Sequence, residues 1–190
     1  SIRVSIFKGR MSKITQEQVD EFNRKRREEQ QRRAEERDFC NKIMELYAKG
    51  SLDPVKPCWH LDKKYIDFDN QDFHLSDELC EQGYRLIPSV DVETLLDAMQ
   101  SGNPELYRSK SLFHKDWSDE KICNVVKHWQ NNEKLIPPTI VYNHLLHRLY
   151  VADGKHRFNV AYYFGTECMP IIVPNVQLEK IKPMLGCTET

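Results

Sequence analysis

The spacing of apolar residues first separates a long N-terminal helix from the rest of the chain. Between residues 23 and 38 the only apolar residue is Ala34, and apolar residues return at helical spacing from Phe39 onward. Thr15 and the glutamine three residues later match a capping box, which marks the start of a helix. The pattern therefore predicts one helix over residues 14–49, solvated along most of its length, whose C-terminal end packs on the body of the protein.

Charges along this helix are arranged in opposite pairs four residues apart, a spacing that supports an exposed helix. The predicted pairs are Arg24/Glu28, Lys25/Glu29 and Arg32/Glu36. Residues 24–38 hold seven basic and five acidic side chains. One interpretation is a solvated face, and the other is an arm that contacts DNA or a protein partner. The acidic residues weaken the DNA interpretation, since they offset attraction to phosphate.

Residues 50–83 lack a periodic apolar pattern and are rich in proline, aromatic residues and aspartate, which predicts a loop-rich strap with one or two short strands. Metal binding is a minor alternative here. Cys58, His60, His74 and Cys80 would form an irregularly spaced zinc set. Acidic side chains in this stretch could hold another cation, although most acidic loops are only hydrated. These side chains are Asp62, Asp67, Asp69, Asp72 and Asp77.

Residues 84–177 alternate between predicted strands and predicted helices, as is typical of a folded domain. We expect residues 1–13 to be an extension outside it and residues 178–190 to be a polar tail. The order strand, helix, loop, helix, then strand–strand–helix–strand predicts an α/β (α+β) fold, a mixed sheet flanked by helices. The strands are predicted at 84–90, 139–142, 147–152 and 169–173, and the main helices at 91–99, 118–130 and 155–165.

Composition narrows the classes of protein. The chain has 190 residues, 39% of them hydrophobic and 30% charged, with a net charge of −1. DNA binding would therefore need a local basic patch. No apolar run reaches eighteen residues, so no membrane span or membrane partner is expected. The six cysteines form no C-x-x-C pair, which favours reduced thiols in a cytoplasmic protein.

Candidate chemistry is concentrated at one strand-to-helix junction, Asp153-Gly154-Lys155-His156-Arg157. A glycine lets the backbone approach a ligand closely, and the N–H groups that open the next helix favour an anion. Arg157 offers a planar fork for phosphate oxygens, and Lys155 offers a second positive charge. His156 can donate to a phosphate or act as a general acid or base. Asp153 can hold Mg²⁺ or orient its neighbours. An ordinary turn with an exposed arginine is the alternative.

Four motifs stand out in this domain: N-P-x-x-x-R at 103–108, PPTIV at 137–141, D-G-x-H-R at 153–157 and MPIIV at 169–173. Together they resemble the ParB/sulfiredoxin fold family. The resemblance covers about half of the chain and implies a nucleotide- or phosphate-binding loop at the junction. Lys155 occupies the position where sulfiredoxins carry cysteine, which argues against reduction of sulfinic acids.

The D-G-x-H-R form is similar to that of the nuclease-like and kinase branches of the family. This resemblance implies Mg²⁺-dependent hydrolysis of ATP or CTP, or cleavage of DNA, as in plasmid- or phage-encoded proteins that interfere with DNA transfer. One alternative is a non-catalytic nucleotide- or DNA-binding module that reaches a protein partner through residues 14–49. A small-molecule kinase is the other.

Phosphoryl transfer also needs a base or a metal-binding carboxylate from outside the junction. We expect Glu93 or Asp116 in that role, with Asp91 and Glu120 as further candidates. Arg108 is expected to provide a second clamp on phosphate.

Overall fold

A long helix, α1, opens the part of the chain that the computed structural model describes, residues 15–65 and 83–186. Helix α1 spans Gln16–Ala48. The Thr15 hydroxyl accepts from the backbone N–H of Gln18, and the Gln18 side chain accepts from the backbone N–H of Thr15. Both bonds of the predicted capping box are therefore present.

The charged part of α1 is held by pairs within the helix. Arg24 bonds both Glu21 and Glu28, and Arg32 bonds both Glu29 and Glu36. The prediction that Lys25 pairs with Glu29 is wrong: Lys25 contacts Glu21 instead, at 3.2 Å. These side chains are exposed, so each pair supports the helix only weakly.

The domain that follows keeps the predicted order of strands and main helices and adds two short helices, α3 and α6. Its elements are β1 Tyr84–Asp91, α2 Val92–Ala98, α3 Asn103–Arg108, α4 Asp119–Gln130, β2 Thr139–Asn143, β3 Arg148–Asp153, α5 Lys155–Tyr163, β4 Cys168–Pro174 and α6 Leu178–Met184. The strand order is β1-β4-β2-β3, with β4 parallel to β2 and the other two pairings antiparallel. The expected mixed α/β sheet with flanking helices is confirmed.

The core explains the strand and helix patterns. Strand β4 is central in the sheet, and its residues from Met169 to Pro174 are all buried, as a strand covered on both faces requires. Helix α4 buries its predicted stripe, including Val126 and Trp129, and contacts both α1 and α5. Helix α5 buries Phe158 and Val160. Helix α4 therefore lies between the N-terminal helix and the junction helix.

The C-terminal residues differ from the expected polar tail. A 3₁₀ turn at Asn175–Gln177 leads into α6, which buries Leu178 and Ile181. The Gln177 side chain is buried and both accepts from the N–H of Tyr142 and donates to its carbonyl. Leu178, Ile181 and Met184 are the apolar residues of α6 that pack on the core, a pattern too short to stand out in the sequence.

The strap is described only up to residue 65. Trp59 pairs with Leu135 and stacks edge-on against Trp129, with ring centroids 5.1 Å apart. His74, Cys80 and the later aspartates named as metal ligands lie outside the described residues. Within the described ranges, no group of three or more His, Cys, Asp or Glu side chains is placed to hold a metal ion. The helices in those ranges include none that is both long and apolar enough to cross a bilayer.

A disulfide joins α1 to the body, so the prediction of reduced thiols is wrong for one pair. Cys40 on α1 bonds Cys123 on α4, with their Cα atoms 5.3 Å apart. Cys123 is 1% exposed. The two residues are 83 positions apart, and nothing in their local sequence indicates the pairing. The bond reinforces contacts that α1 already makes through Ile43, which is buried, and Tyr47, which packs against Phe113.

Replacing Cys40 with serine is expected to lower the free energy of unfolding by about 2–4 kcal/mol, because the disulfide restricts the unfolded chain. Urea denaturation without reductant measures this difference. With dithiothreitol, the wild type should fall to the level of Cys40→Ser. Cys168→Ser is the control, since Cys168 is an exposed free thiol. Equal stability of wild type and Cys40→Ser without reductant would contradict the bond.

Candidate functional site

The junction between β3 and α5 is closed by an ion pair. Strand β3 ends at Asp153 and α5 begins at Lys155, with Gly154 between them at φ 82° and ψ 18°. Arg157 Nη2 donates to Asp153 Oδ2 at 2.6 Å, and their side chains are 21% and 15% exposed. The pair spans the glycine and fixes how the strand turns into the helix.

Gly154 is needed for packing as well as for its positive φ. A Cβ atom there would lie 2.8 Å from Arg157 Nη2 and 2.9 Å from the Cα atom of Pro138. The first contact involves a side chain that the ion pair holds in place, and the second involves backbone. The glycine thus lets three parts of the protein meet: the end of β3, the start of α5 and the segment before β2.

His156 links the starts of two helices. Its Nε2 accepts from the backbone N–H of Ser118 at 3.2 Å. Ser118 is the N-cap of α4, where its hydroxyl accepts from the N–H of Lys121. The ring of Trp117 meets the His156 ring edge-on, with centroids 5.5 Å apart. The N-terminal ends of α4 and α5, both positive ends of helix dipoles, are therefore neighbours.

A depression of about 220 Å³ lies where α4 faces the junction. Four of its lining side chains are basic, those of Lys121, His128, His156 and Arg157, and one is acidic, that of Asp153. His128 also contacts Glu133 outside the lining. The residues that line it are Lys121, Asn124, Val125, His128, Leu135, Asp153, Gly154, His156 and Arg157. We call this the anion depression.

A second depression, of about 260 Å³, is lined by Trp117, whose ring contacts that of His156. Lys155 lines this one and not the first, so Lys155 and Arg157 face different spaces. Asp116, expected to be catalytic, also lies here and has an exposed side chain. The lining residues are Gln100, Asn103, Leu106, Tyr107, Asp116, Trp117, Tyr150, Val151 and Lys155. We call this the aromatic depression.

Arg108 and Glu93, the predicted phosphate clamp and catalytic carboxylate, bond each other and line neither depression. Arg108 Nη2 donates to Glu93 at 2.9 Å and to Asp97 at 2.6 Å. Tyr162 donates to the other oxygen of Glu93 at 2.7 Å. Hydrogen bonds from Tyr162 and Arg108 lower the pKa of Glu93, and bonds to Asp97 and Glu93 raise the pKa of Arg108. This network ties α2 to α3 and α5.

The two remaining carboxylate candidates, Asp91 and Glu120, also lie outside the two depressions. Asp91 is the N-cap of α2 and accepts from the N–H and the hydroxyl of Thr94, both at 2.7 Å, and these bonds lower its pKa. Glu120 is exposed in the first turn of α4, in a groove shared with α1. Of the five carboxylates expected at the site, the structure brings only Asp153 and Asp116 to the depressions.

The D-G-x-H-R motif gives no indication that the polar face of α4 belongs to the site. Lys121, Asn124 and His128 follow one another at three- and four-residue steps, so they share one face of the helix. The same spacing is visible in the sequence beside the buried stripe of α4. It carries no information about which element that face meets.

Comparison of the chain with protein-family models, with curated proteins and with solved structures yields no match. The resemblance to the ParB/sulfiredoxin family therefore rests on the four sequence motifs and remains an expectation.

Gly154→Ala is expected to destabilise the protein by about 2–5 kcal/mol, since it adds overpacking to the strain of a positive φ. Gly165→Ala is a matched control, because Gly165 has φ 83° and an added Cβ there would meet nothing within 4 Å. That control should cost only the backbone strain, about 1–2 kcal/mol. Chemical denaturation of both variants measures the difference. Equal losses would show that the contacts with Pro138 and Arg157 do not constrain the junction.

Tyr162→Phe is expected to raise the pKa of Glu93 toward its ordinary value, because it removes the largest cause of the lowering. Stability from a carboxylate with a lowered pKa is present above the unfolded pKa and is lost as pH falls through the folded pKa. The variant should therefore lose less stability on acidification than the wild type does. NMR titration of the Glu93 carboxyl carbon measures the shift. The neighbouring Tyr163→Phe should leave that titration unchanged.

Proposed function

We propose that this protein binds the phosphate groups of a nucleotide in the anion depression, at the start of α5. The observation that carries this proposal is the convergence of a helix N-terminus with basic side chains from two helices. The first intrahelical bond of α5 runs from Phe158 N–H to Gly154 O, so the preceding N–H groups belong to the orphan donors of a helix start. Such donors favour an anion.

The side chains around these donors supply the matching charge. Lys121 and Arg157 bring an ammonium and a guanidinium group, and His128 and His156 bring imidazoles. Arg157 uses Nη2 for Asp153, and a guanidinium has five N–H donors in all. The Asp153 pair holds that guanidinium in one orientation, which lowers the entropic cost of binding a phosphate.

The ion pair with Arg157 would compete with a magnesium ion for Asp153. The Oδ2 atom of Asp153 accepts from Arg157 at 2.6 Å, and the carboxylate is 15% exposed. A cation at that oxygen would have to replace the arginine. We therefore assign Asp153 a positioning role and derive no step that uses Mg²⁺ held by this residue.

Hydrolysis of ATP or CTP, or cleavage of DNA, is a second proposed function at the same place. The position of His156 favours it, since this side chain lines the anion depression and can exchange protons. Its Nε2 accepts from Ser118, so a catalytic His156 would give up that bond, or act through its other ring nitrogen, during a reaction cycle.

Helix α1 supports a protein partner better than it supports DNA. Three of its six arginines, Arg24, Arg32 and Arg33, are bonded to glutamates of the same helix. A phosphate backbone would have to compete with those carboxylates. We propose that any interaction of α1 is with a protein. The Cys40–Cys123 disulfide argues against the expected cytoplasmic location, because disulfides are more typical of oxidising compartments.

Isothermal titration with ATP, CTP and inorganic triphosphate, each with and without Mg²⁺, is the test of phosphate binding. We expect binding that weakens with salt and that falls about tenfold in Lys121→Ala, the loss of one charge-assisted contact. Lys127→Ala is the control on the same helix, because Lys127 lies over the Phe39 ring of α1. Absence of binding by all three ligands would refute the proposal.

Turnover is measured separately by release of inorganic phosphate from ATP or CTP. His156→Gln should abolish release while binding persists. Release that continues in this variant would remove His156 from the proposed chemistry.

A further inference from the structure

The turn between β2 and β3 carries the most exposed of the large apolar side chains in the described part of the chain. Leu145 is 91% exposed, and the adjacent Leu146 is 56% exposed. Both lie in the four-residue turn 144–147, and the phosphate proposal uses neither. A single exposed leucine is ordinary on a protein surface, but two in succession at the end of a hairpin form a candidate contact surface.

We infer that the hairpin tip, residues 142–148, inserts its two leucines into the surface of a membrane that contains anionic lipids. The expectation of no membrane partner rests on the lack of a spanning segment. Contact with the surface of one leaflet does not require such a segment. The inference goes beyond the phosphate proposal and does not depend on it.

The hairpin tip satisfies its own backbone N–H groups at the two leucines. Asn143 Oδ1 accepts from the N–H of Leu145 at 2.9 Å and from the N–H of Leu146 at 3.2 Å. A backbone N–H that enters an apolar phase without a partner costs free energy. The two leucines can therefore leave water without carrying an unpaired N–H into lipid. The same two bonds fix the turn, which lowers the entropic cost of binding.

Three rings flank the two leucines in the hairpin. The Tyr142 ring meets the His144 ring edge-on, with centroids 5.0 Å apart, and the Tyr142 hydroxyl bonds His147 Nδ1 at 2.7 Å. Tyrosine and histidine combine an apolar ring with a polar end, and tyrosine is enriched where a membrane meets water. These rings therefore suit the interface between the lipid that receives the leucines and the water around the domain.

Positive side chains next to the rings are complementary to anionic lipid headgroups. Lys180 Nζ lies 5.5 Å from the centroid of the Tyr142 ring and 3.4 Å from His144 Nδ1. Arg148, the first residue of β3, is exposed directly after the turn. The acidic neighbour of Lys180, Glu179, contacts another lysine of α6 at 3.8 Å. Each lysine or arginine near an anionic surface strengthens binding by about fivefold.

Co-sedimentation with lipid vesicles, without any nucleotide, tests the inference. Vesicles of phosphatidylcholine mixed with phosphatidylserine are compared with vesicles of phosphatidylcholine alone. We expect binding to the mixed vesicles that weakens with added salt and is about fivefold or more tighter than binding to phosphatidylcholine alone. Leu145→Ser should weaken binding to the mixed vesicles by about tenfold or more, because a leucine no longer leaves water. Lys180→Gln should reduce only the preference for phosphatidylserine.

Leu61→Ser is the matched control, since it makes the same chemical change at a leucine of the strap that is 54% exposed. It should bind the mixed vesicles as the wild type does. Leu145→Trp reports the position of the tip directly: its fluorescence emission should shift to shorter wavelength when the mixed vesicles are added. The replaced leucines are exposed, so the melting temperatures of all these variants should stay near that of the wild type.

Three results would overturn the inference. The first is a wild type that sediments with neither kind of vesicle. The second is binding that Leu145→Ser and Leu61→Ser reduce equally, or that neither reduces. The third is self-association of the wild type, abolished by Leu145→Ser, in a protein that ignores vesicles, because this would assign the hairpin tip to a second copy of the chain. None of these results bears on phosphate binding, which is measured without lipid.

Discussion

The turn between β3 and α5 depends on the ion pair between Asp153 and Arg157. Both side chains are largely withdrawn from water, so each charge needs the other, and removing one would leave the second buried without a partner. The pair crosses Gly154, which itself lies against Pro138 and the Arg157 guanidinium. The direction of α5 relative to the sheet, and hence the position of its first N–H groups, follows from this one contact and from the absence of a Cβ beneath it.

Helix α4 transmits the position of the junction to the rest of the protein. Its start is bonded to His156 through the N–H of Ser118. One face contributes Lys121, Asn124 and His128 to the anion depression. Another face carries Cys123, which is bonded to α1. The charged arm and the proposed binding site are therefore attached to the same rigid helix, so the disulfide fixes the arm relative to the site as well as to the core.

The helices and strands of the domain could be predicted because the residues that define each of them are close together in the sequence. Ser118 as the N-cap, followed by apolar residues at helical spacing, predicts the start of α4 to within one residue. Alternation and apolar runs place all four predicted strands. Packing between distant segments places Lys121 beside the junction and Cys123 beside Cys40. A single sequence does not display such packing. The C-terminal helix α6 escapes prediction for a different reason: it is only seven residues long, and its few apolar side chains are held by packing on the core.

The predicted motif divides because helix geometry separates consecutive side chains. Neighbouring residues on an α-helix point about 100° apart, so Lys155 and His156 leave the first turn of α5 in different directions. The structure accordingly places Lys155 with Asp116 in the aromatic depression and His156 with Arg157 in the anion depression.

Arg108 and Glu93 neutralise each other elsewhere. The proposed phosphate site therefore draws on His156 and Arg157 from the motif, together with Lys121 from α4, and not on Lys155 or Arg108.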